Sequence, residues 1–252
     1  MKILITNDDG ILSPVLPELI KWAMKFGQVV CVAPKVEQSG KSHAIDFTRH
    51  IEIKKVDLVE GADCYSMDST PADCVRYAVL GMRYAPDLII SGINRGFNLG
   101  KDIVYSGTIG AIFEAGRLGI IGVALSTDPK TFDPSVAALD RIADFFITNR
   151  LLERGRLYNV NIPRDDKGIR ITRQGGIYFT DEFVYLGNDM YEQQGEMAKP
   201  DSTDLNHDTV ALVAGYISVT PLTVEKTDLA LFDELVSLNK EEKSLPQGRL
   251  FS

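Results

Sequence analysis

The chain has 252 residues, of which 44% are hydrophobic and 25% charged, with a formal net charge of -8. That balance fits a soluble globular chain with a sizeable core and argues against long nucleic acid as a partner, which needs clustered Lys and Arg. Three cysteines, Cys31, Cys64 and Cys74, and three histidines exclude a disulfide framework and leave little for a closed zinc site.

The opening residues MKILITNDDG lack the apolar stretch and cleavage site of a signal peptide, and no run reaches the roughly 18 apolar residues of a membrane span. A cytoplasmic protein without membrane contact is predicted. Ile3–Ile5 reads as a buried strand entering a tight turn at Thr6–Gly10. Ser13 and Pro14 predict the cap and first residue of a helix with an apolar face of Leu16, Leu19, Ile20, Ala23 and Met24, stopped by Gly27. Val29–Ala33 is the second strand, with Cys31 as a buried thiol, and residues 34–43 form a polar loop. Short alternating patterns over 45–67 predict additions to a sheet. Thr70–Pro71 opens a helix that turns Cys74, Val75, Ala78 and Val79 inward.

Leu88–Ile90 is the third buried strand, followed by a long loop over 91–106. Gly107–Arg117 predicts a helix ended by Gly119, and Ile120–Leu125 a fourth strand. A longer helix runs from Asp133–Pro134 to the neighbourhood of Leu152, with strands at Val160–Ile162 and Ile169–Thr172. The repeated βαβ order predicts one α/β domain over 1–252, with a Rossmann-like, three-layer core and a mostly parallel sheet. Residues 174–207 break the rhythm. Ile177, Phe179, Phe183, Tyr185, Leu186 and Tyr191 stand there among Gly and charged residues, as in a projecting hairpin or arm. Exposed aromatics on such an arm fit a subunit contact; a flap folded on its own domain satisfies the same pattern. Tyr216–Thr220 is a late strand and 227–239 a terminal helix.

The adjacent acids Asp8 and Asp9 are the sharpest chemical feature. Ligands of a parallel sheet collect beyond the carboxyl ends of its strands, and two neighbouring carboxylates repel unless a cation neutralises them. A turn-capping Asp beside a surface Asp is the other reading. The third strand ends at Asn94, and the loop after the second brings Ser39, so three successive strand ends offer oxygens to one crevice. Ser39–Gly40–Lys41–Ser42 ends like a P-loop, but Lys35 stands where that motif needs glycine. Gly92, Gly96 and Gly100 do not make a dinucleotide fingerprint. Ser106, Gly107 and Thr108 open a helix whose free N–H groups and hydroxyls suit phosphate oxygens, and an ordinary serine cap is the plainer alternative. His43, His50 and His207 show no ligand spacing; His43 shares its loop with Ser39 and is a candidate substrate contact.

Seven stretches together resemble the SurE family, the survival-protein-E nucleotidases: NDDG at 7–10, APKVEQSG at 33–40, TPADCV at 70–75, PDLIISGINRGFNLG at 86–100, YSGT at 105–108, NVNIP at 159–163 and GYISVTPL at 215–222. The resemblance implies that Asp8, Asp9, Ser39 and Asn94 hold one divalent cation, Mg²⁺ or Mn²⁺, with Asp8 and Asp9 catalytic. Asn98, Ser106, Gly107 and Thr108 are the expected phosphate-binding residues. It further implies a homodimer or homotetramer that removes phosphate from nucleoside 5'- and 3'-monophosphates, with short polyphosphate a substrate of some members. Three departures bear on substrate preference: Ser13–Pro14–Val15 stands where the family often has Ala-Pro-Gly, Arg95 replaces a small residue, and Phe97 replaces a frequent Pro. Arg95 is therefore a second candidate substrate contact. Adjacent acids do not match the D-x-D of aspartyl-phosphate phosphatases, and a non-catalytic nucleotide or phosphate sensor using the same crevice remains the alternative function.

Overall fold

Alternate residues of a strand face opposite ways, and both faces of the first strand, β1 (Lys2–Thr6), are covered: Ile3 and Ile5 enter one apolar cluster and Leu4 another. The computed structural model describes residues 1–200 and 202–241. From β1 the chain passes through α1 (Leu16–Ala23) to β2 (Gln28–Pro34), which pairs parallel with β1. β3 (Ile53–Val56) and β4 (Asp63–Met67) extend that side, β4 parallel to β2 and β3 antiparallel to β4. α2 (Pro71–Arg76), continued by a wider helical turn over Tyr77–Gly81, carries the chain across to β5 (Leu88–Arg95), which pairs with the opposite edge of β1. A 3₁₀ turn over Gly100–Tyr105 and α3 (Gly107–Arg117) lead to β6 (Ile121–Thr127). Next come α4 (Asp133–Thr148), α5 (Leu151–Arg154), β7 (Leu157–Ile162) and β8 (Ile169–Ile171).

The hairpin β9 (Phe179–Gly187) and β10 (Met190–Met197) forms its own two-stranded sheet. α6 (Asp208–Val213) then precedes β11 (Ile217–Leu222), which lies antiparallel to β7 and parallel to β8. α7 (Leu229–Leu235) and a 3₁₀ turn over Val236–Glu241 close the described residues. The nine-stranded order is β3-β4-β2-β1-β5-β6-β7-β11-β8. Strand order reverses between β1 and β5, so a crevice opens at their carboxyl ends.

α1 and α4 pack with Ile3, Ile5, Leu16, Leu19, Leu139 and Ile142 on one side. On the other side, α2 and α3 bury Cys74, Val75, Ala78, Ala111 and Ala115 with Leu4 and Val32. This is the three-layer α/β core with a mostly parallel sheet, and all three cysteines are buried and free within it. Three local expectations are corrected. Ser13 does not cap α1: the helix starts at Leu16 with Pro17 in its first turn, and the Ser13 hydroxyl is buried without a hydrogen-bond partner. Successive turns, Ser13 N–H to Gly10 O and Leu16 N–H to Ser13 O, delay the helix there. The loop expected from Ser91 is strand as far as Arg95, with a register shift between Ser91 and Asn94. Gly92 permits it, because a Cβ there would lie 2.3 Å from the Leu125 carbonyl oxygen. The helix from Asp133 stops at Thr148, and Arg150 adopts a left-handed conformation before a separate short turn buries Leu151.

Glu114 on α3 ties the polar loop to the helical layer. It is buried, and it receives His43 Nε2 at 2.9 Å, Arg76 at 3.0 Å and Arg117 at 2.6 Å. Burial opposes its ionisation, but His43, Arg117 and Arg76 together outweigh that and hold the carboxyl at about 2, below its ordinary 4.5. Because the folded-state value is lowered, the stabilisation is complete above pH 4.5 and is lost as pH falls toward about 2. Glu114→Gln should therefore cost roughly 2–4 kcal/mol at neutral pH, somewhat under a fully buried pair because the cations reach solvent. Thermal melts of parent and variant should converge as pH drops to about 2; a gap independent of pH would show that the charge contributes nothing.

Candidate active site

The turn after β1 is closed by its own side chain. Asn7 Nδ2 donates to Gly10 O at 2.9 Å and Asn7 Oδ1 accepts from Gly10 N–H at 3.1 Å, with Asn7 fully buried. Asp8 and Asp9 lie inside this loop. Gln38 N–H donates to Asp8 O at 2.8 Å and Ile11 N–H to Pro34 O at 2.7 Å, so the loop carrying Ser39 is stitched to the acidic turn.

Asp8 is 4% exposed, and its Oδ1 accepts the Thr108 hydroxyl at 2.6 Å. Burial pushes its carboxyl up to about 6; the Thr108 hydroxyl pulls against that shift and the charge of Asp9 adds to it. Asp9 is also raised, first by burial, while the Arg95 N–H, 3.2 Å from its Oδ2, opposes the rise. Neither carboxylate is in an ion pair among the described residues.

Asp8, Ser39, Asn94, Arg95, Asn98 and Ser106 line one cavity of about 560 Å³ at the carboxyl ends of β1 and β5. Asn94 Nδ2 donates to Gly96 O at 2.7 Å, which turns its oxygen the other way. The Ser39 hydroxyl donates to Glu37 Oε1 at 2.6 Å. Ser106 caps α3, its Oγ accepting from Ile109 N–H at 3.2 Å. Gly107 packs against Asp8, where a Cβ would meet the Asp8 Cβ at 3.1 Å. Thr108 faces Asp8 rather than the open cavity. Arg95 lays its guanidinium over the Phe132 ring, 5.0 Å from the centroid, beside the crevice. His43 is absent from the lining, since its ring is engaged by Glu114.

Donor chemistry decides whether a cation fits. Two carboxylates, a hydroxyl and an amide oxygen are all hard oxygen donors, which suit Mg²⁺ or Mn²⁺ rather than a thiophilic metal. Among the described residues no group of three or more His, Cys, Asp or Glu gathers as a metal cluster. The candidate set has two acids completed by neutral oxygens; Asp8 lines the cavity and Asp9 stands behind the lining, and the charge of Arg95 offsets the rise of the Asp9 carboxyl only in part. The residues present therefore fit a divalent cation.

The cavity also has lining that sequence reasoning passed over. Asp102 and Tyr105 come from the 3₁₀ turn, Phe179 and Asp181 from the root of the hairpin and Gln193 from its middle. The aromatic content of 174–207 marked the hairpin as exposed, but nothing local tied it to the crevice. That link is made at long range: Asp102 Oδ2 accepts the N–H groups of Tyr178 and Phe179 at 2.7 and 2.8 Å.

A family profile described as Survival protein SurE matches residues 3–181. A protein of Clostridium beijerinckii named 5'-nucleotidase SurE is 35% identical over 256 residues, covering 94% of this chain and 99% of that protein. Another of the same name, from Natranaerobius thermophilus, is 37% identical over 253 residues, covering 93% and 97%. The crystal structure of the SurE protein from Aquifex aeolicus superposes with a TM-score of 0.76 at 32% identity, over 95% of this chain and all of that one. Motif order, fold and near full-length similarity agree, and the chain belongs to the SurE family.

Proposed function

We propose that the protein is a 5'-nucleotidase, a cation-dependent hydrolase of nucleoside 5'-monophosphates that also accepts 3'-monophosphates, acting in the cytoplasm. The observation that carries this reading is the meeting of Asp8, Ser39 and Asn94 with Asn98 and Ser106 in one cavity where strand order reverses. The relatives named 5'-nucleotidase SurE support the substrate class.

Asp8, Asp9, Ser39 and Asn94 would hold one Mg²⁺ or Mn²⁺. When bound, such a cation supplies charge neutralisation for a phosphate oxygen and eases deprotonation of water. The chain's own groups do the rest. Asn98 Nδ2 carries two N–H bonds; one goes to Ser126 Oγ at 2.8 Å, which leaves the other for a phosphate oxygen. Ser106 and the amino end of the eleven-residue α3 favour the negative charge of the phosphate. Gly107 keeps that end close to Asp8, and Thr108 fixes the Asp8 carboxylate so that it aligns the attacking water. Arg95 stands where it meets the rest of the substrate.

The hairpin supplies the assembly surface of this proposal. Phe183, Tyr185, Leu186 and Tyr191 are 57–70% exposed, a density of apolar groups suited to a second copy of the chain. No described helix is long and apolar enough to cross a membrane. Sedimentation of the parent at micromolar concentration should give a dimer or tetramer, and Phe183→Lys with Tyr191→Lys should give monomer. A parent that sediments as a monomer would overturn the assembly.

Asp8→Asn and Asp9→Asn keep shape and remove charge. Each should weaken Mg²⁺ or Mn²⁺ binding in calorimetry and lower phosphate release from AMP by about 10²–10⁴-fold at saturating cation. Thr108→Val should be milder. Turnover by the parent without any divalent cation, or parental rates in both variants, would defeat the assignment. Hydrolysis of a phosphorus-chiral thiophosphate monoester in isotopically labelled water should invert configuration at phosphorus; retention would replace direct attack by water with a covalent route through Asp8.

Removal of the cation has a pH signature. A folded-state value raised to about 6 gives stability that is present below the ordinary 3.8 and lost as pH rises through about 6. Stripped protein should therefore melt lower at pH about 7 than at about 5, and Mg²⁺ should recover more at the higher pH. Asp8→Asn should shrink that difference, leaving the part contributed by Asp9, whose carboxyl burial also raises. A parental profile in the variant would remove Asp8 from the account.

A further inference from the structure

Three fully buried polar side chains converge on one residue of the crevice. Asn159, Asn161 and Ser126 are each 0% exposed. Asn98 N–H donates to Asn161 Oδ1 at 2.8 Å, and Asn98 O accepts from both Asn159 Nδ2 and Asn161 Nδ2 at 2.8 Å. Asn161 Nδ2 also donates to Asn159 Oδ1 at 3.3 Å, which links the pair. Asn98 Nδ2 donates to Ser126 Oγ. Both main-chain groups of Asn98 and one of its amide hydrogens are thus fixed by side chains from β6 and β7, 28 to 63 residues away in sequence, on strands adjacent in the sheet.

Buried amides are costly in an apolar sheet unless every one is paired, so packing alone does not account for two asparagines here. The residues alternating with them along β7, Tyr158, Val160 and Ile162, face the other side of the sheet and are buried in an apolar cluster. Asn98 stands in a loop between β5 and the 3₁₀ turn, a place where the backbone would otherwise be free to shift. Side-chain hydrogen bonds to a loop backbone give it the rigidity of a strand, and a group that must meet a phosphate oxygen needs that rigidity.

We propose that Asn159 and Asn161, with Ser126, are positioning residues for the reaction: they clamp the main chain of Asn98 and aim its free amide N–H at the phosphate. This rests on the hydrolase reading given above. Asn159 and Asn161 bond to Asn98 and to no cation ligand, while Ser126 lies opposite Asn94 in the β5–β6 ladder, so the two asparagines carry the test. The clamp acts only through the placement of Asn98, and that separates it from residues that merely stabilise the fold.

The test is a set of variants read by steady-state kinetics with AMP, inorganic phosphate binding and Mg²⁺ binding in calorimetry. Asn161→Leu removes the acceptor for Asn98 N–H and one donor to Asn98 O, and Asn159→Leu removes the other donor. Both should lower kcat and phosphate affinity by about 10–100-fold, the usual range for losing a supporting hydrogen bond behind a reacting group, with Asn161→Leu the larger. Mg²⁺ affinity should stay parental. Tyr158→Phe, which removes a buried hydroxyl that donates to Leu151 O from the opposite face of β7, is the control and should change none of these. If Asn161→Leu does not fold, Asn159→Leu carries the same readouts.

The clamp variants should also lose their effect in an Asn98→Ala background, because they act through that side chain. Parental kcat and phosphate affinity in the clamp variants, with Asn98→Ala impaired, would overturn the clamp and leave the hydrolase reading standing. Full additivity with Asn98→Ala, or a parallel fall in Mg²⁺ affinity, would make the asparagines structural and overturn it equally. Parental kinetics in Asn98→Ala itself would remove Asn98 from phosphate binding and the clamp with it. A parent that binds phosphate but hydrolyses no phosphomonoester would sink the hydrolase reading, while phosphate affinity would still judge the clamp.

Discussion

The Thr108 hydroxyl bonded to Asp8 joins the end of β1 to the start of α3. An acid that is 4% exposed needs a donor, and Thr108 supplies it from a helix end that already favours negative charge. The approach is possible because Gly107 presents no side chain to Asp8. Once α3 is docked there, its Ser106 cap faces the crevice, its Ala111 and Ala115 close the core under Leu4, and its Glu114 gathers His43, Arg76 and Arg117. One short hydrogen bond thus fixes the inner end of the cavity and the orientation of the helix behind it.

Much of this was legible in sequence, for a physical reason. Buried parallel strands are short apolar runs, and β1, β2 and β6 announce themselves in ILI, VVCVA and IIGVAL. Asp8, Ser39 and Asn94 sit at the ends of such runs, so their meeting follows from the rule that ligands gather where strand order reverses. Local turn chemistry was less readable. Ser13 before Pro14 has the form of a helix cap, yet two consecutive turns occupy that stretch and Pro17 starts the helix instead. The strand through Gly92 to Arg95 looks like loop because its glycine is required by a neighbouring carbonyl, and a carbonyl from another strand leaves no mark in the local sequence.

Contacts at long range were the least accessible. α6 is only six residues long and had no apolar period strong enough to declare it, yet its first residue, Asp208, accepts the N–H groups of Gly100 and Gly175 at 3.0 and 2.8 Å. His43 shared a loop with Ser39, which drew it toward the crevice in the sequence reading, and its ring instead turns to Glu114 on α3. NVNIP was conspicuous as a stretch, but a strand motif does not say which loop its polar side chains will hold.

The root of the hairpin gives the cavity walls of two different kinds. The inner wall is built from strand ends and the capped helix, and it is continuous with the core. The outer wall, with Phe179, Asp181 and Gln193, belongs to a ribbon outside the main sheet, held by Asp102 and by the tight apposition of Gly100 to Gly176. Inheritance can act on these walls separately. Substitutions in the ribbon alter the shape and polarity of the outer wall without passing through the strand ends and the capped helix. A lineage carrying this architecture is free to drift in what it recognises while its chemistry stays fixed.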